Sequence, residues 1–267
     1  MRFKGNNLIS DSAVIGENVK IGHNAIIHDN VIVGDNSIIC ENCIIGEPCV
    51  DSYLNDNYVN PKTIIGANSI IRSGSIIYAN SIFGDFFTTG NMVSIREKSV
   101  FGKKCIVGTF SDIQGDVKFG DYCRLNSHVQ IASKCTFGHF VFIYPMVIFT
   151  NDLLPPSNNL IGSSVGNFSQ IAAGAVILPG LTIGKHCLVG ANSLLTKNVQ
   201  DFEFYSGNPA VRIGKVTHIW SKENKKPHYP WPYNFDRNLP WSGMEFDEWM
   251  KTKEGMIYTI EDKFNPS

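Results

Sequence analysis

Arg96, His128, His139, Asn151 and Asp152 carry the side chains in the middle of this chain whose types suit chemistry on a polar substrate. An imidazole titrates near neutrality, so His128 in "RLNSHVQIAS" (124–133) is suited to general base work, with His139 as a reserve base. Asn151 and Asp152, at the end of "VFIYPMVIFTND" (141–152), set an amide beside a carboxylate at the mouth of a loop. Arg96, in "TGNMVSIRE" (89–97), offers a planar guanidinium suited to bidentate recognition of a diphosphate. Each has a plainer alternative. His128 is otherwise a solvated or hydrogen-bonded corner residue, Asn151 and Asp152 a turn, and Arg96, Glu97 and Lys98 a solvated charge cluster.

What positions these residues is a period of six. A large apolar residue recurs at Ile15, Ile21, Ile27, Val33, Ile39 and Ile45, then from Ile65 through Ile95, Leu125 and Ile131 to Phe149, and again from Val165 to Leu195. Such a repeat predicts an all-β solenoid, a parallel β-helix of hexapeptides whose coils close after three repeats. Position one points a bulky side chain inward and position five a small one, which explains Cys43, Cys49, Cys105, Cys123, Cys135 and Cys187 as small buried fillers. Position four is repeatedly Asn, as at Asn18, Asn24, Asn30, Asn36, Asn42, Asn68, Asn80 and Asn192, or Gly, residues that tolerate a corner with positive φ. His128 occupies position four and so projects from a corner, while Arg96 at position two emerges beside one. Glu97 and Lys98 are expected at the corner or at a subunit contact, and His23, His28 and His186 are expected to be solvated.

The expected organisation is a β-helix over residues 1–200, with loop insertions near 47–63 and 151–164, followed by an exit segment and a small C-terminal α/β or helical subdomain over 201–267. In the latter, "SGMEFDEWMKTKEG" has a Ser-x-x-Glu start and a closing Gly, so a short helix is expected there. Trp231, Tyr233 and Trp241 either stack on a nucleobase or pack the subdomain onto the last coils.

A formal net charge of −1 without a long basic run argues against nucleic acid as a partner. The absence of an eighteen-residue apolar stretch or an export signal leads to the expectation of a cytoplasmic chain that does not enter a membrane. Seven cysteines, an odd number without zinc spacing, predict neither a disulfide framework nor a metal site.

The repeat resembles that of the left-handed β-helix hexapeptide acyltransferases. The three quoted motifs, in their order and spacing, resemble the nucleotide-sugar N-acetyltransferases acting on dTDP-3-amino-3,6-dideoxyhexoses. The resemblance implies a left-handed coil, a homotrimer with active sites between neighbouring prisms, acetyl-CoA as cosubstrate and a nucleotide-linked amino sugar as acceptor. It implies that His128 takes the proton of the attacking amine, that Asn151 and Asp152 orient that amine, and that Arg96 and His139 bind substrate. In the late coils Ala173, Gly190 and Ala191 would line a pantetheine groove, with Lys197 and Arg212 at the adenosine phosphates. Alternatives of the same fold act on a UDP-linked or 4-amino sugar or on a sugar hydroxyl. A trimeric metal hydratase would need three convergent histidines, for which the sequence offers no cluster, and a non-catalytic scaffold would need no site at all.

Overall fold

The computed structural model describes residues 2–4, 6–222 and 225–260. The chain winds as a left-handed parallel β-helix, a triangular prism with three parallel sheets for faces. Face I runs from Asn7–Ile9 to Leu194–Leu195, face II from Val14–Ile15 to Thr182–Ile183, and face III from Lys20–Ile21 to Leu188–Val189. In the regular middle coils each strand pairs with the one eighteen residues on, so the same repeat position stacks in every coil. On face I, Ile77 pairs with Ile95, Ile113 follows, and Ile131 pairs with Phe149.

The inward residues of position one form one continuous core. On face II it becomes a ladder of phenyl rings, with Phe101, Phe119 and Phe137 stacked at centroid distances of 4.6 and 4.2 Å. Burying each such ring or aliphatic side chain contributes about 1.5–3 kcal/mol, which is how strands of only two or three residues persist. Position five holds buried and mostly small residues, Val, Ala, Ser or Cys, and several of the hydroxyls and thiols donate to a carbonyl of the next coil, as Ser169 Oγ does to Gly184 O at 2.6 Å and Cys105 Sγ to Gly120 O at 3.0 Å. Cys49 departs from this expectation. It precedes the short 3-10 turn Val50–Tyr53 in the first insertion and is half-buried, because the chain has already left the stack after Ile44–Glu47. Asn60 closes that insertion from a buried site, its Nδ2 donating to Gly46 O at 2.8 Å.

Every position four in the regular repeats turns with φ between about 48° and 75°, first through Asn and then, from Phe86 on, mostly through Met, Lys, His, Tyr or Phe. A bulky residue there carries a backbone cost that asparagine largely avoids, so stacking must hold these corners. The edge between faces II and III shows how. Tyr122, Phe140, Phe168, His186 and Phe202 stack one coil upon the next at centroid distances of 4.8 to 4.9 Å. His186 is therefore sandwiched between two rings rather than solvated, and burial pushes its imidazole down to about 4.

After the last coil, the hairpin Glu203–Gly207 with Ala210–Lys215 extends face III. The segment beyond it folds back over the aromatic edge. Trp231, Trp241, Phe246, Trp249 and Tyr258 pack on that ladder, and Trp231 Nε1 donates to Phe168 O at 2.8 Å. The expected helix is in fact two: α1, Phe246–Trp249, starts without a side-chain cap, and α2, Lys253–Ile260, runs through Gly255. Gly255 does not end the helix but lets it press against the carbonyl of Trp249, where a Cβ would collide.

Candidate active site

His128 stands at the edge between faces III and I, in left-handed conformation with φ 58°. Its backbone N–H donates to Thr109 O of the coil below at 2.9 Å, which fixes the corner. The ring is exposed and lies on Phe110, with centroids 5.2 Å apart and an interplanar angle of 27°. Among the described residues no side-chain hydrogen bond ties either ring nitrogen. The same edge carries Met92, Phe110 and Met146, all more than half exposed, in consecutive coils below and above.

Ala173 and Ala191 occupy corners of this edge in the coils above and are exposed. Gly174, with φ 71°, completes one of those corners, so little side chain stands out from the wall there. Gly190 shares the edge but is buried beneath Ser206 of the terminal hairpin, which a Cβ would strike. It therefore serves packing rather than the groove of this protomer. Lys197 follows Leu194–Leu195 and lies on the other edge of face I. Arg212 sits in the hairpin, its Nε paired with Glu203 at 2.5 Å, so its charge already has a partner.

The remaining candidates lie apart from His128. Arg96, Asn151 and Asp152 follow strands of face I and so occupy the edge between faces I and II, across the width of a face. That width is about 16 Å for five extended residues. Arg96 does not present an open fork. Its Nε and Nη2 donate to the two carboxylate oxygens of Glu97, both at 3.1 Å, and its Cζ lies 5.4 Å from the Tyr78 ring centroid. Glu97, expected as a separate corner charge, is the partner that closes it. Asn151 Nδ2 donates to Ser133 Oγ at 2.8 Å. Asp152 accepts from Ser157 N–H and Ser157 Oγ, both at 2.7 Å, and those bonds hold its carboxyl below the usual range. Its carboxylate thus closes the second loop in the manner of a turn residue.

His139 is elsewhere again. It is buried on the edge between faces II and III, where Nδ1 accepts from the Asp121 N–H at 2.9 Å and Tyr258 of α2 covers the ring at 4.9 Å. The segment that carries Tyr258 lies over that edge, so His139 is buried and does not share the edge of His128. Trp231 and Trp241 are likewise buried, which makes them packing residues rather than a platform for a base. Sequence reasoning passed over Arg124, which lies at position six of its repeat on face III. Its guanidinium is held between the rings of Phe142 at 5.2 Å and Phe235 at 5.7 Å. The signal was its place in "RLNSHV", four residues before His128, but Phe235 lies in the non-repetitive segment.

Among the described residues no cluster of three or more His, Cys, Asp or Glu side chains could hold a metal ion. No helix of the described residues is long and apolar enough to cross a membrane. Burial raises the thiols of Cys43, Cys135 and Cys187 to about 11 and Cys105 well above its ordinary value, which leaves them poor nucleophiles.

Two family models match separate stretches: the GMPPB C-terminal domain over residues 3–115 and the bacterial transferase hexapeptide (six repeats) over residues 162–197. A chloramphenicol acetyltransferase of Agrobacterium fabrum is 37% identical over 65 residues, 24% of this chain and 29% of that protein. A dTDP-3-amino-3,6-dideoxy-alpha-D-galactopyranose 3-N-acetyltransferase of Aneurinibacillus thermoaerophilus is 39% identical over 54 residues, 20% of this chain and 28% of that protein. The chain thus spans under a third of the length of these curated relatives. Among solved structures, Arabidopsis UDP-N-acetylglucosamine acyltransferase aligns over 98% of this chain and 96% of its own at 14% identity, with a TM-score of 0.46. The late coils, which hold Ala173 and Ala191, lie within the stretch that matches the bacterial transferase hexapeptide model.

Proposed function

We propose that the chain is an acetyl-CoA-dependent N-acetyltransferase whose acceptor is the amine of a nucleotide-linked amino sugar, a dTDP-3-amino-3,6-dideoxyhexose. The observation that carries this reading is the edge between faces III and I. There an outward imidazole, His128, stands in line with the bare corners at Ala173 and Ala191. A pantetheine arm needs such a wall, with exposed backbone amides and little side-chain bulk. The short-range identity to acetyltransferases, one of them acting on a dTDP-amino sugar, agrees with it.

In this reading the unprotonated amine attacks the thioester carbonyl, and a C–N bond forms as the C–S bond breaks. The amine proton passes to His128 Nδ1 or Nε2, or to the departing CoA sulfur, and backbone N–H groups steady the oxyanion. Five cysteines are buried, Cys49 sits in the first insertion, and Cys40 is half-buried with its thiol raised by burial, so no acyl-enzyme is invoked.

Arg96, Asn151 and Asp152 lie a face's width from His128, so a single prism does not join them. A homotrimer would set the edge of one prism against the loop-bearing edge of the next, and the exposed Met92, Phe110 and Met146 suit such a contact. Asn151 would then face the acceptor from the neighbouring protomer, with Asp152 holding its loop in shape. The test is thiol release from acetyl-CoA by the purified chain. Release that depends on a dTDP-3-amino-3,6-dideoxyhexose supports the reading, and silence with this and with UDP-linked and 4-amino analogues removes it.

A further inference from the structure

A cleft runs along face III where the C-terminal subdomain meets the coils. It consists of two adjoining cavities, of about 370 and 280 Å³, which share Ile106 and Arg124 as a common wall. The first is further walled by Phe86 and Lys104, the second by Tyr144 and Arg237. Neither lining contains a carboxylate.

Arg124 is the centre of this arrangement. Beyond its two flanking rings, its Nη2 donates to the carbonyl oxygens of Arg237 and Asn238 at 3.0 and 3.1 Å. Arg237 sets a second guanidinium over the same Phe235 ring at 5.7 Å, and Lys104 Nζ stands 5.5 Å from the Phe86 ring centroid. Three cations therefore line one cleft, and among the described residues none of them has an ion pair. Lys104 shares its field with the Glu254 carboxylate, whereas Arg124 and Arg237 are like charges placed together, which cost stability unless an anion relieves them. Burial and Arg237 both disfavour the charge on Arg124 in the absence of such an anion.

The rings give the anion an apolar companion. Phe86 is 48% exposed although its corner has φ 60°, an uncommon conformation for so bulky a residue, and Tyr144 is 38% exposed. The cleft also has a direction. Arg124, Asn126 and His128 follow one another along a single coil, so Arg124 lies about 13 Å from His128 at extended spacing, with the second cavity between them and the first beyond.

We propose that this cleft binds the nucleoside diphosphate part of the acceptor, with the base on Phe86, the diphosphate held by Arg124, Arg237 and Lys104, and the sugar directed past Asn126 and Tyr144 toward His128. The sugar end rests on the transferase reading above; the nucleotide end stands on the cleft itself. This role replaces the one expected of Arg96, whose fork Glu97 fills.

The experiment is calorimetric titration of the full chain with dTDP, UDP and GDP, and with thymidine and pyrophosphate separately. A nucleoside diphosphate is expected to bind, and more tightly than thymidine. Arg237→Glu and Lys104→Glu should each weaken it about 10- to 100-fold, the range for hydrogen bonds to charged groups, with unchanged far-UV circular dichroism. Arg124→Lys keeps the charge but loses the carbonyl contacts, and His128→Asn should bind dTDP as the parent does. Silence of all three diphosphates at millimolar concentration, or equal binding by the Arg237→Glu/Lys104→Glu double variant, overturns the proposal. The two readings separate cleanly. If Arg237→Glu abolishes dTDP binding and thiol release never occurs, the cleft stands and the transferase falls. If thiol release occurs and Arg237→Glu leaves the KM for the nucleotide sugar unchanged, the transferase stands and the cleft falls.

Discussion

His128 rests on the ring of Phe110, the residue one coil below it on the same edge, with centroids 5.2 Å apart. That contact orients an otherwise exposed imidazole without using either nitrogen. Phe110→Ala is expected to lower kcat for acetyl transfer several-fold while costing the fold about 1 kcal/mol, since an aromatic pair contributes about 0.5–1.5 kcal/mol. Parallel measurement of kcat and of urea unfolding checks both; an unchanged kcat would show that the ring is idle.

The sandwiched His186 makes stability depend on pH. Its imidazole is pushed down from 6.5 to about 4 by burial, partly opposed by Asp201 and reinforced by Lys185. The unfolded state binds the proton more readily, so this contribution is fully present above pH 6.5 and is lost progressively as pH falls toward 4. Its size is on the order of 3 kcal/mol. His186→Phe should flatten the fall in unfolding free energy between pH 6.5 and 4; an equally steep fall in the variant would contradict the assignment.

How much of this was legible in the sequence depended on the side chain. Ile95 and Ile113 declare the coil because their period reports an inward face directly. Asn18 and Asn36 likewise declare a left-handed corner by residue type. Tyr122 and Phe140 do not, because their corners are held by ring stacking against local preference, and only the structure shows the neighbouring ring. His186 was misread for the same reason: its partners, Phe168 and Phe202, are one coil away rather than adjacent in sequence. Arg96 read as a free fork because nothing in the spacing shows its neighbour Glu97 folding back on it. Arg124 was invisible because Arg237 and Asn238, which receive its hydrogen bonds, lie beyond the repeat.

Coil-to-coil spacing is tight at glycines of position two. A Cβ on Gly120 would lie 2.8 Å from the carbonyl carbon of Gly138 and from the nitrogen of His139, whereas Gly214 has nothing within 4 Å. Gly120→Ala should therefore destabilise the chain by about 1–3 kcal/mol through overpacking. Gly214→Ala should stay within about 0.5 kcal/mol of the parent. Equal unfolding midpoints for the two variants would contradict this packing.

The cysteines provide a chemical map of burial. Cys40 and Cys49 are half-buried, whereas Cys43, Cys105, Cys123, Cys135 and Cys187 are buried. A thiol reagent applied to the native chain should label the first two well before the other five, read by peptide mapping. Early labelling of Cys105 would show that the stack opens more readily than its core implies.

The central claim is that acetyl transfer occurs at the His128 edge. Its most direct test is thiol release from acetyl-CoA with a dTDP-3-amino-3,6-dideoxyhexose, comparing the parent chain with His128→Asn. Acceptor-dependent release by the parent, reduced about 100-fold or more in kcat by the substitution, is the predicted result. Release that is undiminished in His128→Asn, or none from the parent with any nucleotide-linked amino sugar, would contradict it.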